Sequence, residues 1–136
     1  MATRNNERTT IFAGAAINPG QEIGYVDDAG VIYRLRWGQG TPIGHVDDQG
    51  RVFRTKQHGA QEVGHVTAGG GIHSHGLFEG GELGWLEADG TVLRGGLIFE
   101  EEEVGAVNGP RAAAAAAALL LIFLPEEDES TRRARR

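Results

Sequence analysis

Between residues 23 and 108 one short phrase is written five times. It opens as Ile23-Gly24-Tyr25-Val26-Asp27-Asp28-Ala29-Gly30-Val31-Ile32-Tyr33-Arg34 and repeats as Ile43-Gly44-His45-Val46-Asp47-Asp48-Gln49-Gly50-Arg51-Val52-Phe53-Arg54. It returns at Val63-Gly64-His65-Val66, at Leu83-Gly84-Trp85-Leu86 and, shortened, at Val104-Gly105-Ala106-Val107. The starts lie 20, 20, 20 and 21 residues apart. A fixed period of this length marks a tandem array of one supersecondary unit, each copy burying its apolar face against its neighbours.

The phrase itself names the unit. An apolar residue, Gly, an aromatic or His, and Val or Leu make a short strand, and Asp-x-x-Gly follows as a turn. Asp suits the first position of a type I turn, and Gly supplies the left-handed residue at re-entry into the sheet. A second strand follows, as at residues 31–35 and 51–55, so each repeat reads as a β-hairpin. Residues 39–42 and 59–62, rich in Gly, Gln and Pro, are expected to turn the chain into the next hairpin.

That turn type sets the register. The fourth position faces the tenth, pairing Val26 with Ile32, Val46 with Val52, Val66 with Ile72 and Leu86 with Val92. All eight are aliphatic, so this is the expected core face. The third position faces the eleventh, pairing Tyr25 with Tyr33, His45 with Phe53, His65 with His73 and Trp85 with Leu93. These flat, half-polar side chains stack across strands, and Tyr25, Tyr33, His45, Phe53, Trp85 and Leu93 are the expected interaction face. Gly at the second position lies on the core side, where it leaves room for another backbone or a helix.

The two ends of the array are complementary. Counting back twenty residues aligns Ile11 with Val31 and Phe12 with Ile32, so the first repeat has only its second strand and the last only its first. Pairing these two strands would complete a fifth hairpin and remove both sheet edges. An open meander with unpaired ends is the alternative. The fold class is therefore all-β: tandem hairpins of about twenty residues forming a closed or nearly closed, barrel- or flower-like sheet, plus one apolar C-terminal helix.

That helix spans residues 112–124. Pro110 suits its start, seven Ala and the run Leu119-Leu120-Leu121-Ile122-Phe123-Leu124 are strong helix formers, and Pro125 stops it. It is apolar all round, so it is buried in protein or in lipid. Thirteen residues reach roughly 20 Å, short of the ~30 Å hydrocarbon core of a bilayer. A slim Ala helix also fits a sheet with an inner column of Gly, leaving the Leu-rich end to pack on a rim, a neighbouring subunit or a membrane. Leu119 to Leu124 are thus the expected assembly or membrane residues. The chain divides into an arm (1–9), the repeat domain (10–109), the helix (110–125) and a charged tail (126–136).

Site chemistry is sparse. His65, His73 and His75 fall on one patch of the third repeat, and three imidazoles there are a candidate metal site, although no carboxylate is obviously placed beside them. Asp27, Asp28, Asp47, Asp48, Glu87 and Asp89 sit at hairpin corners, where such acids bond their own backbone, and the run of acids at 100–103 reads as a solvated loop. The chain has no cysteine, Ser74 and Ser130 are its only serines, and Gly69-Gly70-Gly71 runs into a strand rather than a helix. No nucleophile or phosphate loop is recognisable, no cofactor is implied, and a non-enzymatic protein is expected. The formal net charge of -6 and the lack of a basic stripe argue against nucleic acid. Residues 1–9 carry no apolar signal run, leaving a cytoplasmic or membrane-associated location open.

Tandem Gly-x-Val-Asp-x-x-Gly-x-Val-Tyr hairpins ending in a small-residue and Leu-rich segment resemble short uncharacterised bacterial repeat proteins and the four-fold β-flower type of domain. The resemblance covers residues 11–124 and is poorest in the third repeat. It implies a β-rich repeat fold, no known reaction and no catalytic residues. The expected function is a structural or protein-interaction module contacting copies of itself or another protein. A membrane-attached array and a sugar-like ligand stacked on the aromatic face are the alternatives.

Overall fold

The computed structural model describes residues 8–13, 21–75, 82–95 and 101–125. The charged tail and most of the N-terminal arm lie outside them. Ten antiparallel strands close into a barrel: β1 (Thr9–Ala13), β2 (Gln21–Val26), β3 (Val31–Arg36), β4 (Gln39–Val46), β5 (Arg51–Lys56), β6 (Gly59–Val66), β7 (Gly71–Ser74), β8 (Glu82–Leu86), β9 (Thr91–Arg94) and β10 (Glu102–Asn108). Each strand pairs with its sequence neighbours, and β1 pairs with β10 to seal the ring.

The seal is the fifth hairpin, assembled from the two chain ends. Ile11 pairs with Val107 as Ile32 pairs with Val26, and Phe12 pairs with Ala106 as Tyr33 pairs with Tyr25. Ile11 is therefore the counterpart of Ile32 rather than of Val31, a shift of one residue from the twenty-residue count. Burial decides it: Ile11 is fully buried, and Phe12 takes the half-exposed outer position.

All four expected hairpin registers are present, each with the fourth position against the tenth and the third against the eleventh. In the first turn the Gly30 amide donates to the Asp27 carbonyl at 3.0 Å, and Gly30 has φ 90°, the left-handed residue that the turn requires. Asp27 Oδ1 accepts from the amides of Ala29 and Val31, each at 2.9 Å. In the third repeat Thr67 Oγ1 substitutes for the acid, accepting from the Gly71 amide at 3.0 Å.

Asp47 repeats the arrangement and adds an Arg51 guanidinium at 2.7 Å. Partial desolvation pushes its carboxyl up, but hydrogen bonds from the Arg51 backbone and side chain and from the Gln49 amide outweigh this and hold it below its usual 3.8. Bonds from Thr91 lower Asp89 likewise. A lowered folded-state value means that this stability is present above the unfolded value and lost as pH falls through the folded one. The Tm of the protein should thus fall as pH drops below about 4, and the Asp47→Asn variant should show a shallower fall. Equal slopes for the two proteins would show that the Asp47 charge adds nothing.

The connections between repeats differ from expectation. Residues 39–42 and 59–62 are strand, and the chain reverses earlier, at the two-residue turns Trp37-Gly38 and Gln57-His58. Trp37 (φ 51°) and Gly38 (φ 79°) both occupy the left-handed region, the geometry whose twist matches paired strands. Pro42 is tolerated because it sits beside a bulge. At the other end, Glu102 and Glu103 belong to β10 rather than to a loop, with Glu102 2.9 Å from Arg94.

Every repeat carries a β-bulge at its first position. The register steps across Ile23, Ile43, Val63, Leu83 and Val104 in turn. A bulge increases local twist and bends the strand, which is how a sheet curls into a narrow barrel. It also turns these five aliphatic residues towards the core, where all five pack.

The lumen holds the C-terminal helix. α1 (Ala112–Ala118) continues into a π-helical turn (Leu119–Phe123) closed by the Leu124 amide donating to the Leu119 carbonyl, five residues back. Ala115 to Ala118 are fully buried and Leu119 to Phe123 are at most 7% exposed. The Ala residues share one core with the Val and Ile residues of the barrel, and the large helix residues coincide with its glycines. A Cβ built on Gly105 would lie 2.7 Å from Leu119, on Gly84 2.9 Å from Leu120, on Gly64 2.8 Å from Leu121, on Gly44 3.1 Å from Ile122 and on Gly24 2.6 Å from Phe123.

Five consecutive residues thus address the five repeats in order. An α-helix advances about 100° per residue, too far for repeats set one fifth of a turn apart, and the wider i to i+5 turn shortens that step. Of the settings left open, protein or lipid, the helix takes the first, inside the array itself. Its Leu-rich end departs from expectation: it fills the Gly ring instead of emerging onto a rim, a partner or a membrane. Among the described residues no helix is long and apolar enough to cross a membrane.

Candidate interaction surface

With the inner face taken up by the helix, chemistry available to other molecules lies on the outer wall and at the two mouths. The outer wall displays the third and eleventh positions as stacked pairs. Tyr25 and Tyr33 lie with centroids 4.8 Å apart, His45 and Phe53 at 4.6 Å, and His65 and His73 at 5.0 Å. Trp85 pairs with Leu93 in the same register. All eight side chains are half-buried. Burial, and then the Asp27 and Tyr25 groups, push the Tyr33 phenol up, so Tyr33 stays neutral at physiological pH.

The Tyr25–Tyr33 pair leaves little room for a sugar stacked on Tyr25. One face of each ring is covered by its partner, and the other face of Tyr25 lies under the Arg8 guanidinium, 3.9 Å from the centroid. Arg8 is in turn ion-paired with Glu22.

His65, His73 and His75 do come together, with His65 and His75 centroids 5.5 Å apart. Their rings are not grouped as metal ligands in this structure. The His65 and His73 rings are parallel to within 7°, stacked rather than aimed at a common point, and among the described residues no three His, Asp or Glu side chains are arranged to hold an ion. A carboxylate is present where none was expected: Glu62 Oε2 lies 2.9 Å from His75 Nε2.

The mouths differ. The turn end carries Asp27, Asp28, Asp47, Asp48, Glu87 and Asp89, around the entry of α1. The opposite end is mixed: the β3–β4 and β5–β6 hairpins carry Arg34, Arg36, Arg54 and Lys56, with Arg36 and Lys56 exposed, while Glu22, Glu62, Glu101, Glu102 and Glu103 are the acids on that side. Burial lowers the Arg34 guanidinium, and the charges of Arg36 and Arg54 lower it further, so these cations are close enough to repel.

At the tip of the first of these hairpins Trp37 is 95% exposed, and among the described residues it is the large hydrophobic side chain left outside. It flanks a shallow depression of about 480 Å³ lined by Gln21, Glu22, Leu35, Arg36 and Gly38. The sequence pattern passes over Trp37 because it lies outside the repeated phrase. The signal was its alignment with Gln57, a polar residue at the same place in the next repeat.

No family model matches the chain, and no curated protein sequence or solved structure is significantly similar to it.

Proposed function

We propose that the protein is a non-enzymatic interaction module that associates with copies of itself through the aromatic and histidine belt of its outer wall. The observation that carries this reading is the distribution of its apolar groups. Leu119 to Phe123 are consumed inside the barrel, whereas Tyr25, Tyr33, His45, Phe53, Trp85 and Leu93 stand half-covered on its outside. Aromatic side chains of this kind are enriched at protein contacts, and a barrel without free edges is a rigid support for them.

Light scattering on full-length protein over a range of concentrations tests the proposal. The expected result is a discrete oligomer that dissociates in the Phe53→Lys/Leu93→Lys double variant with little change in Tm. Wild-type protein that stays monomeric at every concentration would sink self-association.

A further inference from the structure

We propose that the tips of the β3–β4 and β5–β6 hairpins dock the barrel onto an anionic lipid surface, with Trp37 as the interfacial anchor. The docking uses neither the belt nor the helix and goes beyond self-association. Three observations carry it.

The first is Trp37 itself, almost wholly exposed on a two-residue turn, with only a shallow open depression beside it. Trp is the residue that settles at the headgroup level of a bilayer, its ring in the apolar boundary and its N–H towards water. A protruding tip suits a deformable lipid surface better than a flat protein face. The second is backbone geometry. Trp37 is the non-glycine residue with positive φ among the described residues, at a position where Asn or Gly is the ordinary choice. No packing within the barrel accounts for an indole there.

The third is charge segregation. The chain is net acidic, yet residues 31–46 contain Arg34 and Arg36 and no acid, and towards the second tip Arg54 and Lys56 stand against Glu62; the acids Glu101, Glu102 and Glu103 at this end of the barrel lie on and beside β10, separated from β3 by β1 and β2. The acids of these repeats, Asp47 and Asp48, lie at the opposite mouth. Glu22, beside Trp37, is ion-paired with Arg8. A cation held near an anionic leaflet strengthens binding about fivefold, so Arg36 and Lys56 alone predict a preference on the order of 25-fold for anionic over neutral vesicles.

The test is co-sedimentation of full-length protein with phosphatidylcholine vesicles and with vesicles containing roughly one-third phosphatidylglycerol, together with tryptophan emission. Binding to the anionic vesicles, a blue shift of the emission and weakening by salt are expected. Arg36→Gln/Lys56→Gln should bind at least tenfold more weakly. Trp37→Asn should lose the shift and most of the binding while melting no lower than the wild type, because Asn suits the left-handed turn better than Trp. No binding, equal binding to both vesicle types, or undiminished binding by Trp37→Asn would each overturn the proposal. Light scattering without lipid reads the belt separately, so the two readings fail independently.

Discussion

A chain ending at Gly109 should not fold. It retains all ten strands and every hairpin turn, yet it lacks the interior of the barrel. Leu119, Leu120, Leu121, Ile122 and Phe123 are 0 to 7% exposed, and full burial of such side chains contributes about 2 kcal/mol each. The five together supply about 10 kcal/mol, an upper estimate because unfolded chains already bury some apolar surface. That is comparable with the 5–15 kcal/mol net stability usual for a whole domain. Removal of the helix would also leave the rings of Val and Ile facing a void. We expect the truncated chain to show no cooperative thermal transition and no dispersed amide spectrum. A sharp melt for the truncated protein would mean that the strands close without their plug.

The Gly64→Ala variant is expected to lose about 3 kcal/mol, at the upper end of the cost of overpacking a core, or a Tm drop on the order of 15 °C. The new methyl would overlap the backbone carbonyl of His73 and come within 2.8 Å of Leu121. The carbonyl belongs to the β6–β7 ladder and cannot step aside without breaking it. Leu121 stands between neighbouring residues that fill the other Gly sites, so it has nowhere to turn.

Gly69→Ala is the control. Nothing lies within 4 Å of a Cβ at Gly69, so this substitution should be neutral, or stabilising by a few tenths of a kcal/mol through the unfolded chain. Similar melting of the two variants would contradict the interlock between the Gly ring and the π-helical turn. In Gly64→Ala/Leu121→Ala the two losses should sum to less than their separate values, since the second substitution vacates space that the first requires.

The hairpins were legible because their determinants are local. Asp27 and Asp47 bond amides two and four residues ahead, Gly30 and Gly50 provide the left-handed residue, and this chemistry fixes which residues face each other. The stacked pairs Tyr25–Tyr33 and His45–Phe53 follow from that register alone. Closure was legible as an option, from the half-repeats at the two ends, and so was the space beside the Gly column. The bulges at Ile23, Ile43, Val63, Leu83 and Val104 were not. An alternating strand would send these residues outwards, and only the curvature needed to wrap a helix brings them in.

The candidate site was read less well. The belt residues lie where the period placed them, but Trp37, at a turn between repeats, carries no periodic signal, and its importance comes from being the large apolar group that the finished barrel leaves outside. The metal reading of His65, His73 and His75 gains no support from the stacked rings, because a shared sheet face brings side chains together without saying how they are turned.

The sequence by itself determined the repeat, its turns, the pairing of each strand with the next and the existence of an apolar helix, because each depends on residues within about twenty positions of one another. Only the tertiary structure decided that the ring closes at five units and that the helix threads it. It likewise decided that residues 119–123 abandon α-helical geometry to give each repeat one side chain. Those outcomes follow from matching volumes across the lumen, Gly against Leu, Ile and Phe, between segments up to about a hundred residues apart. No local rule contains that match, and the fivefold fit exists only once both partners are in place.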